Sequence, residues 1–596
     1  MTDSLAHRGP NGFGVYAEGS VGLGHRRLSI LDLSEAGRQP MFSDDGNLAI
    51  TFNGEIYNYL EIKKELGGRA YRSSSDTEVI LRAYEKWGGA CLEKFNGIFA
   101  FAIWDKKNQR LFAARDRLGV KPFYYAIHEN IFYFGSEIKA LLTAGVPAKQ
   151  NDEIIYDYLV FGFYDHRPET FFAGIQQLMP GHSLLIINNQ LQITRYWSLP
   201  DRIRPIKKIS DSKAAGNFLE LVNDSSRLQL RSDVPVGMVV SGGLDSSLLA
   251  HSVHQILGGQ KNFQLFHFQY VGQEYEQELP AVRDLAKTLS WQSPKITKIS
   301  PGDMPALVEK IMWHEEQPFP GLPTVAWHKL YQELGESKTI VTLEGHGGDE
   351  MAAGYDYYFG PFLVDLLRSK KYAEAEKEIK GLAKIRGLDK EQLLKFVTNG
   401  LRAFQGGGVS ADATSFVNLS CLNSEFLKKN LPFPNFEKPF DSLLSNFQYQ
   451  ELLHTKLPRV LRSVDRESMA SGRELRVPLL DHRIVEFAFS LPLEQRIRGG
   501  QQRFFMRNAA KRFLPPSISD APKRSLPNPQ RAWFQKDLQP WLRKIITSKS
   551  FGSRKYFNQK KCLDEFENYC RTPNPINSFH IWQWISLELW HRAFID

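Results

Sequence analysis

Two hydrophobic rhythms divide the chain. From Met1 to about Trp197, short runs rich in β-branched and aromatic residues alternate with Gly, Asn and Asp: LAITFNGEIYNYL, GIFAFAIWD, RLFAARDRL, KPFYYAI and IFYFGSE. That alternation and turn spacing predict packed antiparallel sheets, with helices from Tyr59 to Glu65 and from Asp76 to Trp87. The rhythm breaks over RYWSLPDRIRPIKKISDSK, where two prolines and a basic run predict an interdomain linker at 198–214. Beyond it, helical patterns alternate with short apolar strands, MVV at Met238, FQLFHF at Phe263 and TIVTLEG at Thr339. This order predicts a parallel-sheet domain over 215–596. The expected fold class is α/β overall, an antiparallel α+β sandwich over 1–197 followed by an α/β parallel-sheet domain.

The second domain is organised around PVGMVVSGGLDSSLLAHSVHQIL at Pro235 to Leu257. Met238, Val239 and Val240 are followed at once by Ser241, Gly242 and Gly243, then by an apolar-periodic segment, which reads as strand, tight loop, helix, with Ser241, Gly242, Gly243, Leu244, Asp245, Ser246 and Ser247 as the expected nucleotide-binding residues. Glycines let backbone approach a phosphate closely. Amides at the start of a helix opening at Ser246 point at such a ligand, and hydroxyls of Ser241, Ser246 and Ser247 add donors. Asp245 would repel the phosphate unless a divalent cation lay between them, so it reads as a magnesium ligand on a nucleotide's phosphates. In an ordinary strand-to-helix turn, the same Asp would serve only the helix dipole. No Lys follows the glycines, which excludes the GxxxxGK[ST] phosphate loop.

Composition changes this picture little. At 596 residues the chain exceeds one core, and 42% hydrophobic with 24% charged residues is ordinary for a globular protein. No apolar run approaches about 18 residues and MTDSLAHRGP has no signal-peptide core, so a cytoplasmic location with no membrane partner is expected. The 75 Lys and Arg against 66 Asp and Glu give +9 without a long basic arm, so no nucleic-acid partner is expected. Cys91, Cys421, Cys562 and Cys570 are too few and scattered for a disulfide scaffold or a zinc site. The sequence does not fix the oligomeric state; a homodimer is compatible with it.

Several segments of the first domain, AHRGP, GHRRLSI, FNGEIYNY, SSSDTEVIL, FNGIFAFAIWD and ARDRLGVKPFYY, resemble the glutaminase domain of class II glutamine amidotransferases in the form found in asparagine synthetases. That resemblance implies an Ntn-hydrolase-like sandwich that cuts ammonia from glutamine. By position, Arg27 is similar to the residue that pairs with the glutamine α-carboxylate, Asp76 to the one that holds its α-amino group, and Asn53 with Gly54 to the oxyanion donors. The chemistry suits those roles: a guanidinium fork fits a carboxylate, an Asp fits an ammonium, and an amide beside a flexible backbone N–H fits a developing oxyanion. The family's nucleophile is an N-terminal cysteine upstream of AHRGP, and here the nearest cysteine is Cys91. Either the sequence lacks its true beginning, or the protein has lost glutamine hydrolysis and takes free ammonia. As written, the first domain is expected to be a poor or inactive glutaminase.

The loop SGGLDSS resembles the pyrophosphate loop of ATP pyrophosphatases, which split ATP to AMP and pyrophosphate while adenylating a substrate. TLEGHGGDEMAAGY at Thr342 to Tyr355 resembles the asparagine synthetase segment SGEGxDExFxGY, with Gly345 in the ATP-binding turn, Asp349 as the second magnesium-binding acid and Glu350 as support. His346 departs from the family, standing where a glutamate is usual, and reads either as the acid/base of a modified site or as a hydrogen-bonding spacer. VDRESMASGRELRVPLLDHRIVEFAFSLP resembles a further family stretch, which places Arg466 and Ser468 to Ala470 along the acceptor and nucleotide pocket or, structurally, has Arg476 pair with Asp465 or Asp481. RFFMRNAAKRFLP resembles the KxxLRxA helix with Arg503 in place of lysine, and DAPKRSLPNP resembles the RPKxGF loop, in which Lys523 stabilises charge in the transition state. The implied activity is amide formation on a carboxylate through an acyl-adenylate, with ATP and Mg2+ as cofactors. The expected acceptor is aspartate and the nitrogen source glutamine or free ammonia. His346 and Arg503 keep open another carboxylate, a sugar acid or a peptide; a silent nucleotide-binding scaffold is the rival of a different class.

Overall fold

The computed structural model describes residues 1–68, 70–259, 263–272, 278–405, 417–523, 528–575 and 577–596. In the first domain, β1 (Gly12–Glu18) and β2 (Val21–Arg27) form a hairpin, followed by β3 (Met41–Phe42), β4 (Leu48–Ile56), β5 (Gly97–Asp105) and β6 (Arg110–Arg115). Then come β7 (Tyr124–His128), β8 (Ile131–Gly135), β9 (Ile175–Gln177), β10 (His182–Ile187) and β11 (Gln190–Arg195). One antiparallel sheet runs β11-β10-β6-β5-β4-β3 and a smaller one β8-β7-β9. The period of two in GIFAFAIWD explains how they stack. Phe99, Phe101 and Ile103 face one way, into a core with Val79, Ile80 and Ala83 of helix Asp76–Trp87. Ala100 and Ala102 face the other way, where their small side chains admit Phe123 and, from the second sheet, Tyr125. Covered on both faces, β5 is buried almost throughout. The two expected helices are Tyr59–Leu66 and Asp76–Trp87, the latter capped by the Ser75 side chain accepting from the Thr77 amide.

The expected linker is partly helical. Leu199–Arg202 forms a short helix, and Asp211–Gln229 opens a long one capped by Ser210. The second domain is built on a parallel sheet ordered β14-β13-β12-β15-β16, with β12 (Val236–Val239), β13 (Gln264–Tyr270), β14 (Lys295–Ile299), β15 (Val341–Leu343) and β16 (Glu474–Arg476). The chain leaves β12 toward β13 and β14, then returns to the other side for β15 and β16. The switch point therefore lies between β12 and β15, where sheets of this kind open a ligand crevice beyond their carboxyl ends. The C-terminal helix Phe579–Phe594 is core: Trp582, Trp584 and Trp590 are fully buried, and the indole N–H groups of Trp582 and Trp590 donate to the Phe319 and Glu316 carbonyls. Among the described residues, no helix is long and apolar enough to cross a membrane.

A buried ionic lattice joins the two domains. Arg466 lies 3.0 Å from Glu137 and 2.8 Å from Glu316, while Arg8 donates to Glu137 at 2.9 Å and to Asp465 at 2.8 Å. Glu316 also accepts the amides of Ile138 and Lys139. Arg466 thus clamps the two domains together. Arg476 pairs with Glu474 at 2.8 Å and lies 3.5 Å from Glu55 of the first domain, not with Asp465 or Asp481. Its guanidinium also donates to the Gln229 and Arg231 carbonyls, and this fixes its direction.

Candidate active site

Beyond β12 and β15 the two glycine-rich turns meet. Helix Leu244–Ile256 opens at Leu244, two residues ahead of the expected start, with Gly243 as its cap, which puts Asp245 in the first turn. Leu244 and Ser247 point inward: Leu244 joins the core, and the Ser247 hydroxyl is buried with no hydrogen-bond partner among the described residues. Ser246 Oγ shapes the loop, accepting from the Ser241 amide and donating to the Gly243 carbonyl, both at 3.3 Å. Gly242 takes φ 67°, a conformation that glycine adopts without strain. Gly345 and Gly348 permit the approach of the second turn. A Cβ on Gly345 would meet the Ser246 amide nitrogen at 3.2 Å, and one on Gly348 would lie 2.8 Å from Asp245 Cγ.

The close approach gathers two acids and two cations far apart in sequence. Arg503 Nη1 lies 3.2 Å from Asp245 Oδ1 and 3.0 Å from Asp349 Oδ1, and Lys523 Nζ pairs with Asp349 Oδ2. Burial pushes Asp245 up to about 6, the Asp349 charge adding to that and Arg503 opposing it. For Asp349 burial also raises, but Lys523 and Arg503 outweigh it and hold the carboxyl down at about 2. The pair shares its electrostatics, so the direction that matters is that Asp349 is the stronger acid because it has two cations. Lys523 is about a quarter exposed and sits beside the Tyr355 ring. Residues 524–527 of its loop lie outside the described residues. Two hard carboxylates beside a phosphate-type loop suit Mg2+, which takes one or two carboxylates and fills its shell from phosphates and water. Among the described residues there is no group of three or more His, Cys, Asp or Glu that would cage a metal alone.

His346 lies in the second turn between Gly345 and Gly348, its Nε2 2.7 Å from Glu344 Oε2. Glu344 lies within the matched segment TLEGHGGDEMAAGY, at the position of the family's serine, and the resemblance implies no role for it there. Glu350 accepts the Tyr355 hydroxyl at 2.7 Å, a supporting role.

In the first domain, a cavity of about 400 Å³ is lined by Arg27, Asn53, Gly54 and Asp76 together, and also by Met469 and Glu474 of the second domain. Arg27 spends part of its guanidinium on the carbonyls of Ser34 and Asp32. Asn53 Nδ2 donates to Ser136 Oγ at 3.4 Å, and Gly54 takes φ 129° with the Ile98 carbonyl too close for a side chain. Asp76 accepts the Ile56 amide at 2.7 Å; burial, with the Glu474 charge, pushes it up to about 7. Among the described residues no cysteine lines this cavity. Cys91 is fully buried in the core beneath helix Asp76–Trp87, its thiol pushed up to about 12 by that burial.

Residues 1–197 match the glutamine amidotransferase domain family, and residues 217–592 match the asparagine synthase family. The chain belongs to the asparagine synthase family. It is 30% identical to asparagine synthetase [glutamine-hydrolyzing] 1 of Bacillus subtilis over 100% of this chain and 93% of that one. It is 31% identical to asparagine synthetase [glutamine-hydrolyzing] 3 of the same organism over 92% and 87%. Amidase chyE of Penicillium rubens is 26% identical over 92% and 87%.

Proposed function

We propose that the protein forms an amide on a carboxylate, most simply aspartate to asparagine, through an acyl-adenylate, releasing AMP and pyrophosphate. The observation that carries this is the meeting of Asp245, Asp349 and Lys523 beside the SGGLDSS loop at the sheet's switch point. Ser241, Gly242, Gly243 and the amides opening helix Leu244–Ile256 would hold ATP, with Gly345 giving room on the far side. Asp245 and Asp349 would hold Mg2+, which would neutralise phosphate charge. Lys523, on a part-exposed flexible stem, can follow the charge that develops as pyrophosphate departs.

The nitrogen is glutamine-derived or free ammonia. Arg27, Asn53, Gly54 and Asp76 share one cavity, roomy enough for glutamine, whose lining also includes Met469 and Glu474 of the synthetase domain, which supports delivery from one domain to the other. A cytoplasmic enzyme with small-molecule partners, a homodimer among its permissible states, fits this reading. A second reading, amide formation on a sugar acid or a peptide, is favoured by His346 in the turn beside Gly345 and by the relative named as an amidase.

Incubation with ATP, Mg2+, ammonium and a panel of acids, following AMP and pyrophosphate, decides between them. Turnover with aspartate that disappears in Asp245→Ala is expected; turnover with another acid and none with aspartate selects the second reading. Release of ADP and orthophosphate would overturn both.

A further inference from the structure

The turn after β15 carries a pair that the sequence motifs did not announce. Glu344 holds His346 Nε2 through one oxygen at 2.7 Å, and its other oxygen accepts the Tyr331 hydroxyl at 2.5 Å. Tyr331, on helix Leu322–Gly335, is tied in turn to Thr342 Oγ1 at 2.9 Å. Glu344 and Tyr331 are buried, so this carboxylate is fixed on both sides. The imidazole is 20% exposed and packs edge-on to Trp327 at 5.7 Å. Among the described residues its Nδ1 has no hydrogen-bond partner.

We propose that Glu344 is the positioning residue for a general base at His346, which takes a proton from the nitrogen nucleophile as the amide forms. The inference rests on the ligase reading above. An ionised carboxylate can only accept, so the proton between Glu344 and His346 sits on Nε2, which leaves the lone pair on Nδ1, the edge without a protein partner. Ammonia attacks the acyl carbon and the C–N bond forms. The nitrogen then carries three hydrogens and a positive charge, and Nδ1 removes one proton. The C–O bond to the adenylate breaks, AMP leaves with that electron pair, and the imidazolium returns its proton to water through its exposed edge.

The surroundings tune the base upward. Burial lowers the imidazole's proton affinity, but the hydrogen bond and charge of Glu344, with the charge of Glu350 from the following helix, raise it above 6.5 overall. Tyr331 acts only through Glu344, and Trp327 is uncharged.

Glu344→Gln keeps the shape of the pair and removes its charge. Amide formation at neutral pH should fall about 100-fold relative to ATP–pyrophosphate exchange, and the acidic limb of the kcat profile should move to lower pH. Tyr331→Phe removes a donor that shares the Glu344 charge, so it should move that limb the opposite way, to higher pH, by less, and it carries the test if the first variant does not fold. An acidic limb unmoved in the folded variants, with exchange intact, overturns the proposal. A wild-type chain that shows no exchange with any acid defeats the ligase reading itself, and this inference with it.

Discussion

Arg503 sets a guanidinium nitrogen 3.0 Å from Asp349 Oδ1, and the same nitrogen reaches Asp245 at 3.2 Å. One buried cation thus neutralises two carboxylates from turns that follow different strands, at a backbone φ of 54° in the left-handed region. Arg503→Gln leaves those acids facing each other, and removing one partner of such a buried set costs on the order of 3 kcal/mol. The variant should therefore unfold at lower urea than wild type in metal-free buffer. Millimolar Mg2+ should recover more stability for the variant than for wild type, and equal metal effects on the two would sink the idea that Arg503 and a divalent cation serve the same acids.

The domain clamp should show as stability. Arg466 is about 1% exposed and pairs with Glu137 across the interface and with Glu316 of its own domain. Arg466→Met leaves both glutamates short of a cation, at a cost of about 3–5 kcal/mol, read from denaturant unfolding. A change below about 1 kcal/mol, the range of exposed pairs, would mean that Arg8 and Lys139 carry the charge balance without it.

Glutamine recognition should depend on pH through Asp76. Burial puts this carboxyl at about 7, so it is protonated below that pH and ionised above it, and only the ionised form attracts an ammonium. Glutamine affinity, measured calorimetrically, should rise about tenfold per unit on approach to that value from below and level off above it. Asp76→Asn should flatten the curve as well as weaken binding. The same raised value makes the folded state relatively more favourable at low pH, an advantage lost as pH rises through about 7.

Cys91 should be chemically silent. Fully buried and with its thiol pushed up to about 12, it offers almost no thiolate near neutrality. Alkylating reagents at pH 8 should leave it unlabelled in the native protein, and Cys91→Ala should leave any glutamine-dependent turnover intact at a stability cost of about 1 kcal/mol. Loss of glutamine use in that variant, with ammonia use kept, would place the thiol in the reaction after all.

The linear order of residues was enough for the two-domain plan, because each rhythm is local: period two in GIFAFAIWD, strand–glycine–helix at SGGLDSS, the same again at TLEGHGGDE. It was enough, too, for the types of residue at each turn. It misjudged the start of the helix after Gly243 by two residues, since the Asp245 backbone is helical despite its chemistry, and it treated as linker a stretch that the long helix Asp211–Gln229 enters. Only tertiary structure decided which of those residues meet. Asp245 and Asp349 are 104 positions apart and come together because β12 and β15 are neighbours in the sheet. Arg466 could not be read as a clamp until Glu137 and Glu316 arrived from elsewhere in the chain, and Glu344 meant nothing until its carboxylate was found between His346 and Tyr331. Side-chain identity is written in the chain, but charge pairing and proton affinity depend on distance and burial, which exist only once the sheet has set its strand order.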